Sequence, residues 1–452
     1  MIPMRLKDIA KQLNGQLHGG DLVVEHVSTD TRQISDNSLF IALVGERFDG
    51  HQFAGQAIEQ GASALLVERY VEGGSPQIVV ADTRQALGQL GAYVHRQCHD
   101  KTVAITGSCG KTTVKEMVAS ILGQKGRVLF TQGNFNNDIG VPLTLLRSTP
   151  NDDYAVIELG ANHIGEIALT TQWVQPDIAL VNNVAAAHLE GFGSIDGVKQ
   201  AKGEIYQGLS EQGVALVNLD SHGEDWWQTH FAKRRVITLS VQQPADYGAQ
   251  NVVLNAQGCA SFTLKTPLGE QDIALSLLGQ HNVSNAIAAS AIAIEMGATL
   301  SEVASGLQLV KPVKGRVNAQ QLTDKINLID DSYNASVPAM LAAVDVLASF
   351  ASERWLILGN MAELGQQSLE LHRQVGEYAA QFAFEQVLTF GEEAKVISEV
   401  CQGRHFSCHQ SMIDYIEQQL AAQPQAQHTL LIKGANSAGM YNVADALKEN
   451  YA

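Results

Sequence analysis

Three things are scarce in this 452-residue chain: paired cysteine, positive charge and long apolar runs. Its five cysteines (Cys98, Cys109, Cys259, Cys401, Cys408) form no Cys-x-x-Cys pair and no metal-ligand spacing. That excludes a disulfide framework and a structural zinc site, and it fits free thiols in a reducing compartment. The formal net charge of −17, with 30 Lys and Arg against 47 Asp and Glu, argues against general nucleic-acid or membrane-surface binding. A phosphorylated substrate must then be held by local basic residues. The opening Met1-Ile-Pro-Met-Arg-Leu-Lys lacks the apolar core of a signal peptide. No apolar run reaches membrane-spanning length, and the Ala-rich stretch Ala339 to Ala348 is broken by Asp345. The expectation is a cytoplasmic monomer acting on small molecules, with no nucleic acid and no membrane. What the chain does have is 45% hydrophobic residues, normal for a globular protein, and length for about three domains.

The most informative stretch is Thr102-Val-Ala-Ile-Thr-Gly107-Ser-Cys-Gly110-Lys111-Thr112-Thr113. A β-rich run stops at a glycine, and a helix-compatible run, Val114 to Leu122, starts just after the lysine. This is the strand, turn and helix of a phosphate-binding loop. Gly107 and Gly110 let the backbone fold tightly, so that the amides of residues 107 to 113 turn toward an anion at the positive end of a helix. Lys111 supplies a charge for the β- and γ-phosphates, and the Thr112 hydroxyl suits Mg²⁺. The longer form of the pattern wants a glycine where Ile105 stands, so the shorter Thr-Gly-x-x-Gly-Lys-Thr form is present.

Ahead of this loop, residues 1–98 mix short strands and helices. They carry two Arg-bearing loops, Ser28-Thr-Asp30-Thr31-Arg32 and Gly45-Glu-Arg47-Phe48-Asp49-Gly50-His51. These suit an anionic, hydroxyl-rich ligand; equally, Asp30 with Arg32 and Arg47 with Asp49 read as surface ion pairs. Beyond the loop lies an amide-rich turn, Thr131 to Pro142, which includes Asn137. Tyr154-Ala-Val-Ile-Glu158 follows as a buried strand ending in a carboxylate, either a solvated cap or an Mg²⁺ ligand at the sheet edge. His188 sits on a small-residue loop after the strand Asp177 to Asn182, as a metal ligand or a structural histidine. Lys202, in Ala-Lys-Gly-Glu204, reads as a surface lysine. From Val236 to Leu278 alternating strands suggest an antiparallel patch. Gly279-Gln-His281-Asn282-Val-Ser-Asn285 then opens a helix to Met296.

A hinge, Lys311-Pro-Val-Lys-Gly315-Arg316, separates off a last domain of repeated strand–helix units. Its strand ends carry Asp330-Asp331-Ser-Tyr333-Asn334, Gly359-Asn-Met-Ala-Glu363-Leu-Gly365 and Lys433-Gly-Ala-Asn436-Ser437. No Gly-x-Gly-x-x-Gly follows its first strand, so a nicotinamide cofactor is not expected. The fold class is α/β in three domains: 1–98, a small α/β domain; 99–313, a central phosphate-loop α/β domain with the antiparallel patch; and 314–452, a Rossmann-like, mainly parallel sheet.

Taken together, Thr106-Gly-Ser-Cys-Gly-Lys-Thr112, Glu158, the His188 loop, Ala-Lys202-Gly-Glu, Gly-Gln-His-Asn282, Gly315-Arg316 and Asp330-Asp331-Ser resemble the Mur ligase family. Thr29-Asp-Thr-Arg32, Gly45-Glu-Arg-Phe-Asp49, Asp331-Ser-Tyr-Asn334 and Met361-Ala-Glu-Leu-Gly365 point to its D-alanyl-D-alanine-adding branch. The resemblance implies ATP and Mg²⁺ as cofactors, and UDP-MurNAc-tripeptide and D-alanyl-D-alanine as substrates in peptidoglycan precursor synthesis. It implies that Thr112 and Glu158 hold one Mg²⁺, and that His188 and a carbamylated Lys202 hold a second. It also places Gly107, Ser108, Cys109, Gly110, Lys111, Thr112, Thr113, Asn137, Asn282, Asn285, Arg316 and Asp331 around ATP. Asn282 and Asn285 would lie at adenine, Arg316 at the γ-phosphate and Asp331 at ribose. Ser28, Thr31, Arg32, Arg47 and His51 would contact the UDP-sugar. Two residues depart from the family pattern: Asn360 stands where Asp is common, and Asn436 where Arg is expected, which leaves the acceptor's carboxylate anchor open. The competing readings are another amide ligase of the family, diaminopimelate-adding or folylpolyglutamate-forming, and a phosphate-loop ATPase that is not a ligase.

Overall fold

The structure is a computed structural model that describes all residues except 46–47, 99–100, 222, 224–226, 229–230, 232–233 and 452. Three sheets organise it. The first has five strands in the order Gln16–His18, Gln77–Val79, Ala62–Val67, Ser38–Ile41 and His26–Ser28. Only the Gln16–His18 edge is antiparallel. Asp82 caps the long helix Thr83–Arg96, its carboxylate accepting from the amides of Arg84 and Gln85.

The central sheet has nine strands: Val128–Phe130, Tyr154–Glu158, Lys101–Thr106, Ile178–Val181, Val214–Asn218, Arg235–Ser240, Tyr247–Leu254, Cys259–Thr266 and Gly269–Leu278. The first seven run parallel, and their middle members are buried on both faces, as helices on each side of a sheet require. On one face pack the phosphate-loop helix Lys111–Leu122 and the Ala-rich helix His281–Glu295. On the other lie Glu166–Val174 and Ile195–Gly203. The antiparallel region is smaller than the sequence suggested. Arg235–Ser240 continues the parallel sheet, and antiparallel pairing begins between Tyr247–Leu254 and Cys259–Thr266. The alternation does hold there: Ala260, Phe262 and Leu264 are buried while Ser261 is exposed.

The last sheet has the order Asn318–Thr323, Ile326–Asp331, His428–Lys433, Glu353–Gly359, Gln386–Phe390 and Arg404–Phe406. It is parallel apart from the Asn318–Thr323 edge. Its helix Val337–Ala348 opens with proline at its second position, where a missing amide costs nothing. Among the described residues no helix is long and apolar enough to cross a membrane.

Candidate active site

Lys101–Thr106 lies between Tyr154–Glu158 and Ile178–Val181; the chain builds Val128–Phe130 and Tyr154–Glu158 on one side of it, then crosses to Ile178–Val181 on the other. That is the switch point of the sheet, where a crevice opens beyond the strand ends. Three groups reach it together: the loop after Thr106, the carboxylate of Glu158, and Asn182-Asn183.

The loop is built tightly against that edge. Gly110 has φ +77°, and a Cβ there would come within 2.5 Å of Asn182 Nδ2 and 2.6 Å of Asn285 Oδ1. Gly107 has φ +153° and abuts Asn182 and Asn183. No side chain fits at either position without moving the bracing amides. The helix starts at Lys111, three residues earlier than the sequence suggested, because Gly110 in the left-handed region serves as its N-cap. Val114 is the first amide to bond back, to Gly110 O at 2.9 Å, so the amides of the first turn face the cleft. Ser108 and Cys109 differ: their amides are taken by Asn183, through its carbonyl at 3.0 Å and its Oδ1 at 2.9 Å. The anion-facing donors are therefore those closer to Lys111.

The Lys111 ammonium donates to Gly107 O at 2.7 Å, and burial lowers its pKa, opposed by Glu158 and reinforced by Arg316. The Thr112 hydroxyl donates to Glu158 Oε2 at 2.9 Å, while Asn136 Nδ2 donates to Oε1 at 2.8 Å. A hydroxyl and a carboxylate so placed, facing where a triphosphate would lie, are the hard oxygen donors that Mg²⁺ takes alongside phosphate oxygens. Among the described residues no group of three or more His, Cys, Asp or Glu could hold a metal by itself. This sparse set suits a cation that shares its coordination with substrate.

Asn136 rather than Asn137 reaches Glu158; Asn137 instead accepts from the amides of Ile139 and Gly140 at the start of a short helix. Asn282 and Asn285 are buried, in a chain of amides that runs from Leu278 O through Asn282, Asn285 and Asn182 to Cys109 O. They brace the phosphate loop from below.

Lys202 is not a surface lysine. It is 1% exposed, and its ammonium lies 5.2 Å from the Phe192 ring centroid. Among the described residues it makes no ion pair or hydrogen bond. Burial, and then the charge of Lys111, bring its pKa down to about 7. The following Glu204 accepts from the amides of Gly165 and Ala168 at the head of the helix Glu166–Val174. His188 stands near Phe192 with its ring edge-on, and its Nδ1 is bonded to Glu363 of the last domain. Burial lowers its pKa, and Glu363 opposes that shift.

A cleft of about 1000 Å³ lies between the central and last sheets. Ser108, Cys109, Gly110, Lys111, Thr113, His188 and Asn285 line one wall. Arg316, Asp331, Tyr333, Ser336, Glu363 and Lys433 line the other. Arg316 stacks on Tyr333, 4.5 Å from the ring centroid. Asp331 accepts from Lys433 Nζ at 2.6 Å and from the Val317 amide at 3.1 Å; burial raises its pKa and Lys433 opposes the rise. Asn360 is not among the residues that line the cleft. Its Oδ1 accepts from the Ala394 amide at 2.8 Å and its carbonyl from Ala435, a brace that an amide oxygen provides as well as a carboxylate. Asn436 lines the cleft but brings no charge to it.

The first-domain candidates lie elsewhere, and none of Ser28, Thr31, Arg32 or His51 lines this cleft. Arg32 pairs with Asp30 at 2.6 Å, with its side chain 85% exposed. Asp49 pairs with Arg69 at 2.5 Å and with His51 at 2.6 Å, while the expected Arg47–Asp49 pair falls on Arg47, which lies outside the described residues. The His51 ring is buried and held at both nitrogens, by Asp49 and by the Glu68 amide.

Sequence reasoning gave no site role to Asn136 in the amide-rich turn, to Asn182 at the strand end or to Asn183 after it. The last two end a buried parallel strand, the same positional signal that singled out Glu158.

Family models match three consecutive stretches. They are described as Mur ligase family, catalytic domain (residues 23–95), Mur ligase middle domain (105–293), and Mur ligase, glutamate ligase domain (315–436). The chain is 48% identical over 454 residues to the UDP-N-acetylmuramoyl-tripeptide–D-alanyl-D-alanine ligase of Escherichia coli, covering 100% of this chain and 99% of that one. Its identity to the Haemophilus influenzae protein of the same name is 47%, over 99% of each. Among solved structures, a crystal structure of MurF from Acinetobacter baumannii superposes with a TM-score of 0.94 at 35% identity, covering 99% of both chains.

Proposed function

This chain belongs to the Mur ligase family, and on that premise we propose that it joins D-alanyl-D-alanine to UDP-MurNAc-tripeptide at the expense of ATP. The observation that carries the choice of acceptor is the 48% identity, end to end, to a ligase named for that reaction. The phosphate loop and the cleft beside it support the ATP half of the chemistry. We place the domain boundaries at 1–98, 99–313 and 314–452, and the reaction in the cytoplasm, carried out by a monomer.

In this reading the tripeptide's terminal carboxylate attacks the γ-phosphorus, giving an acyl phosphate and ADP. The neutral amine of D-alanyl-D-alanine then attacks the acyl carbon. The tetrahedral intermediate expels phosphate, the amine loses a proton, and the pentapeptide remains. Phosphorylation is needed because a carboxylate offers an amine only oxide as leaving group. Catalysis is then positioning and charge neutralisation.

Lys111 exchanges the Gly107 carbonyl for phosphate oxygens, and the amides of the first helical turn receive the same group. Arg316 reaches from the hinge to the γ-phosphate, Asp331 accepts from ribose, and Asn282 and Asn285 hold the loop beside adenine. Thr112 and Glu158 would hold one Mg²⁺, and His188 with a carbamylated Lys202 a second; such cations would supply positive charge that offsets the repulsion between triphosphate and carboxylate. An amine whose pKa is brought down to about 7 is neutral in a far larger share at physiological pH than an ordinary lysine, and the neutral form is the one that adds CO₂. Ser28, Thr31, Arg32, Arg47 and His51 belong to the loops that receive the UDP-sugar, His51 by fixing its loop.

The test is product analysis. ATP and UDP-MurNAc-tripeptide are incubated with D-alanyl-D-alanine, diaminopimelate or no acceptor. The expected result is the pentapeptide with D-alanyl-D-alanine alone. Turnover with diaminopimelate instead, or ATP hydrolysis that ignores the acceptor, would replace this assignment.

A further inference from the structure

His188 and Glu363 are 175 positions apart, in different domains, and both lie in the left-handed backbone region, at φ +53° and +60°. That region is unfavourable for a residue with a Cβ, and such residues gather where a site needs a particular direction of approach. Here the two meet: His188 Nδ1 is bonded to Glu363 Oε2. A second bond fixes the same junction, from the Glu190 amide to Glu363 O at 3.0 Å.

The loop that presents Glu363 is held rigidly from behind. Met361 and Leu364 are buried in the core of the last domain, and the Met361 amide donates at 2.8 Å to Nε2 of the fully buried His372. Glu363 is therefore delivered as part of the last domain's framework.

We propose that Glu363 is the positioning residue for His188. Its carboxylate holds the proton on Nδ1 and turns Nε2 to the cleft as a lone-pair donor. The physical ground is general: a metal-ligating histidine offers one nitrogen to the metal and donates the other N–H to a carboxylate, which fixes tautomer and ring orientation. The distinctive point in this chain is that the carboxylate arrives from another domain. The histidine is thus oriented for metal only when the last domain is docked, and closure over ATP and completion of the cation site become one event. The proposal rests on the reading of His188 as a cation ligand.

The test uses the full chain carrying Glu363→Ala, Glu363→Gln and Glu363→Asp, together with His188→Ala and the double variant. Without metal, the ¹⁵N-resolved spectrum of the His188 ring, assigned by its loss in His188→Ala, reports the tautomer. Wild type should show Nδ1–H, and Glu363→Ala a mixture with Nε2–H. With ADP present, Mn²⁺ titrated by electron paramagnetic resonance should bind the second site 10- to 100-fold more weakly in Glu363→Ala and Glu363→Gln. Glu363→Asp should recover part of the loss, and the double variant should lose no more than His188→Ala. Turnover should fall with little change in KM for ATP. If His188→Ala weakens Mn²⁺ but Glu363→Ala leaves both tautomer and affinity as in wild type, the proposal is overturned. If His188→Ala itself leaves Mn²⁺ affinity unchanged, the ligand reading of His188 fails first.

Discussion

The Thr112 hydroxyl donates to Glu158 Oε2 at 2.9 Å, tying the first turn of the phosphate-loop helix to the end of the neighbouring strand. Both side chains are buried, and Asn136 completes the shell of Glu158. The pair is then a preset oxygen site whose hydrogen bond a cation would displace. Thr112→Ala and Glu158→Gln should each lower turnover by roughly a hundred-fold, about 3 kcal/mol of transition-state stabilisation. The Mg²⁺ concentration for half-maximal rate should rise in both. Titrating Mg²⁺ in a coupled ADP-release assay measures this, and an unchanged Mg²⁺ dependence would remove the pair from the metal site.

Lys111 is held by its own loop through Gly107 O, and burial disfavours its charge. Its hydrogen bond is to the backbone of its own loop, away from the packed core. Lys111→Ala should cost roughly 10³-fold in ligation while moving the melting temperature by no more than about 2 °C. Rate and calorimetry on the same sample check the split between the two effects.

Lys202 gives a pH prediction with a definite sign. An ordinary lysine titrates near 10.5, whereas here burial and Lys111 bring it down to about 7. Between those values the unfolded chain binds more protons than the folded one, so this group's contribution to stability rises with pH from about 7 to about 10.5. Below about 7 the cost of burying the ammonium is present in full. Lys202→Met should remove that slope, and denaturant unfolding at a series of pH values will show it. Lys202→Ala should lose ligation and regain part of it with added short carboxylates. A fully active Lys202→Ala protein would exclude the carbamate.

Asp331 and Lys433 form a buried pair at 2.6 Å on the last domain's wall of the cleft. Removing one partner strands the other charge away from water. Lys433→Met should destabilise the last domain by about 3–5 kcal/mol, and Asp331→Asn combined with Lys433→Met should restore part of it. Both variants should lose ligation, because Asp331 is assigned to ribose. Differential scanning calorimetry measures the first effect, and nucleotide titration the second.

How much of this was legible beforehand depends on the range of each interaction. The phosphate loop could be read because strand, glycines, lysine and helix are contiguous from Lys101 to Leu122. The carboxylate at the end of Tyr154–Glu158 could be read because a buried parallel strand leaves a continuous apolar run. The Arg235–Ser240 strand was misassigned because alternation marks a half-buried strand and says nothing of its direction. Lys202 carried a signal that went unused: it follows Val198 by four residues, on the face of Ile195–Gly203 that also buries Val198. By contrast, the partnership of Asp49 with Arg69 and that of His188 with Glu363 join residues 20 and 175 positions apart. No local pattern encodes either one, and tertiary packing creates both.

The central claim is that a carboxylate oxygen passes to phosphorus before the amide forms. It is tested most directly by supplying UDP-MurNAc-tripeptide with ¹⁸O in its terminal carboxylate, together with ATP and D-alanyl-D-alanine, and weighing the products. The account predicts UDP-MurNAc-pentapeptide and released phosphate carrying one ¹⁸O per turnover. Pentapeptide accompanied by unlabelled phosphate would contradict it.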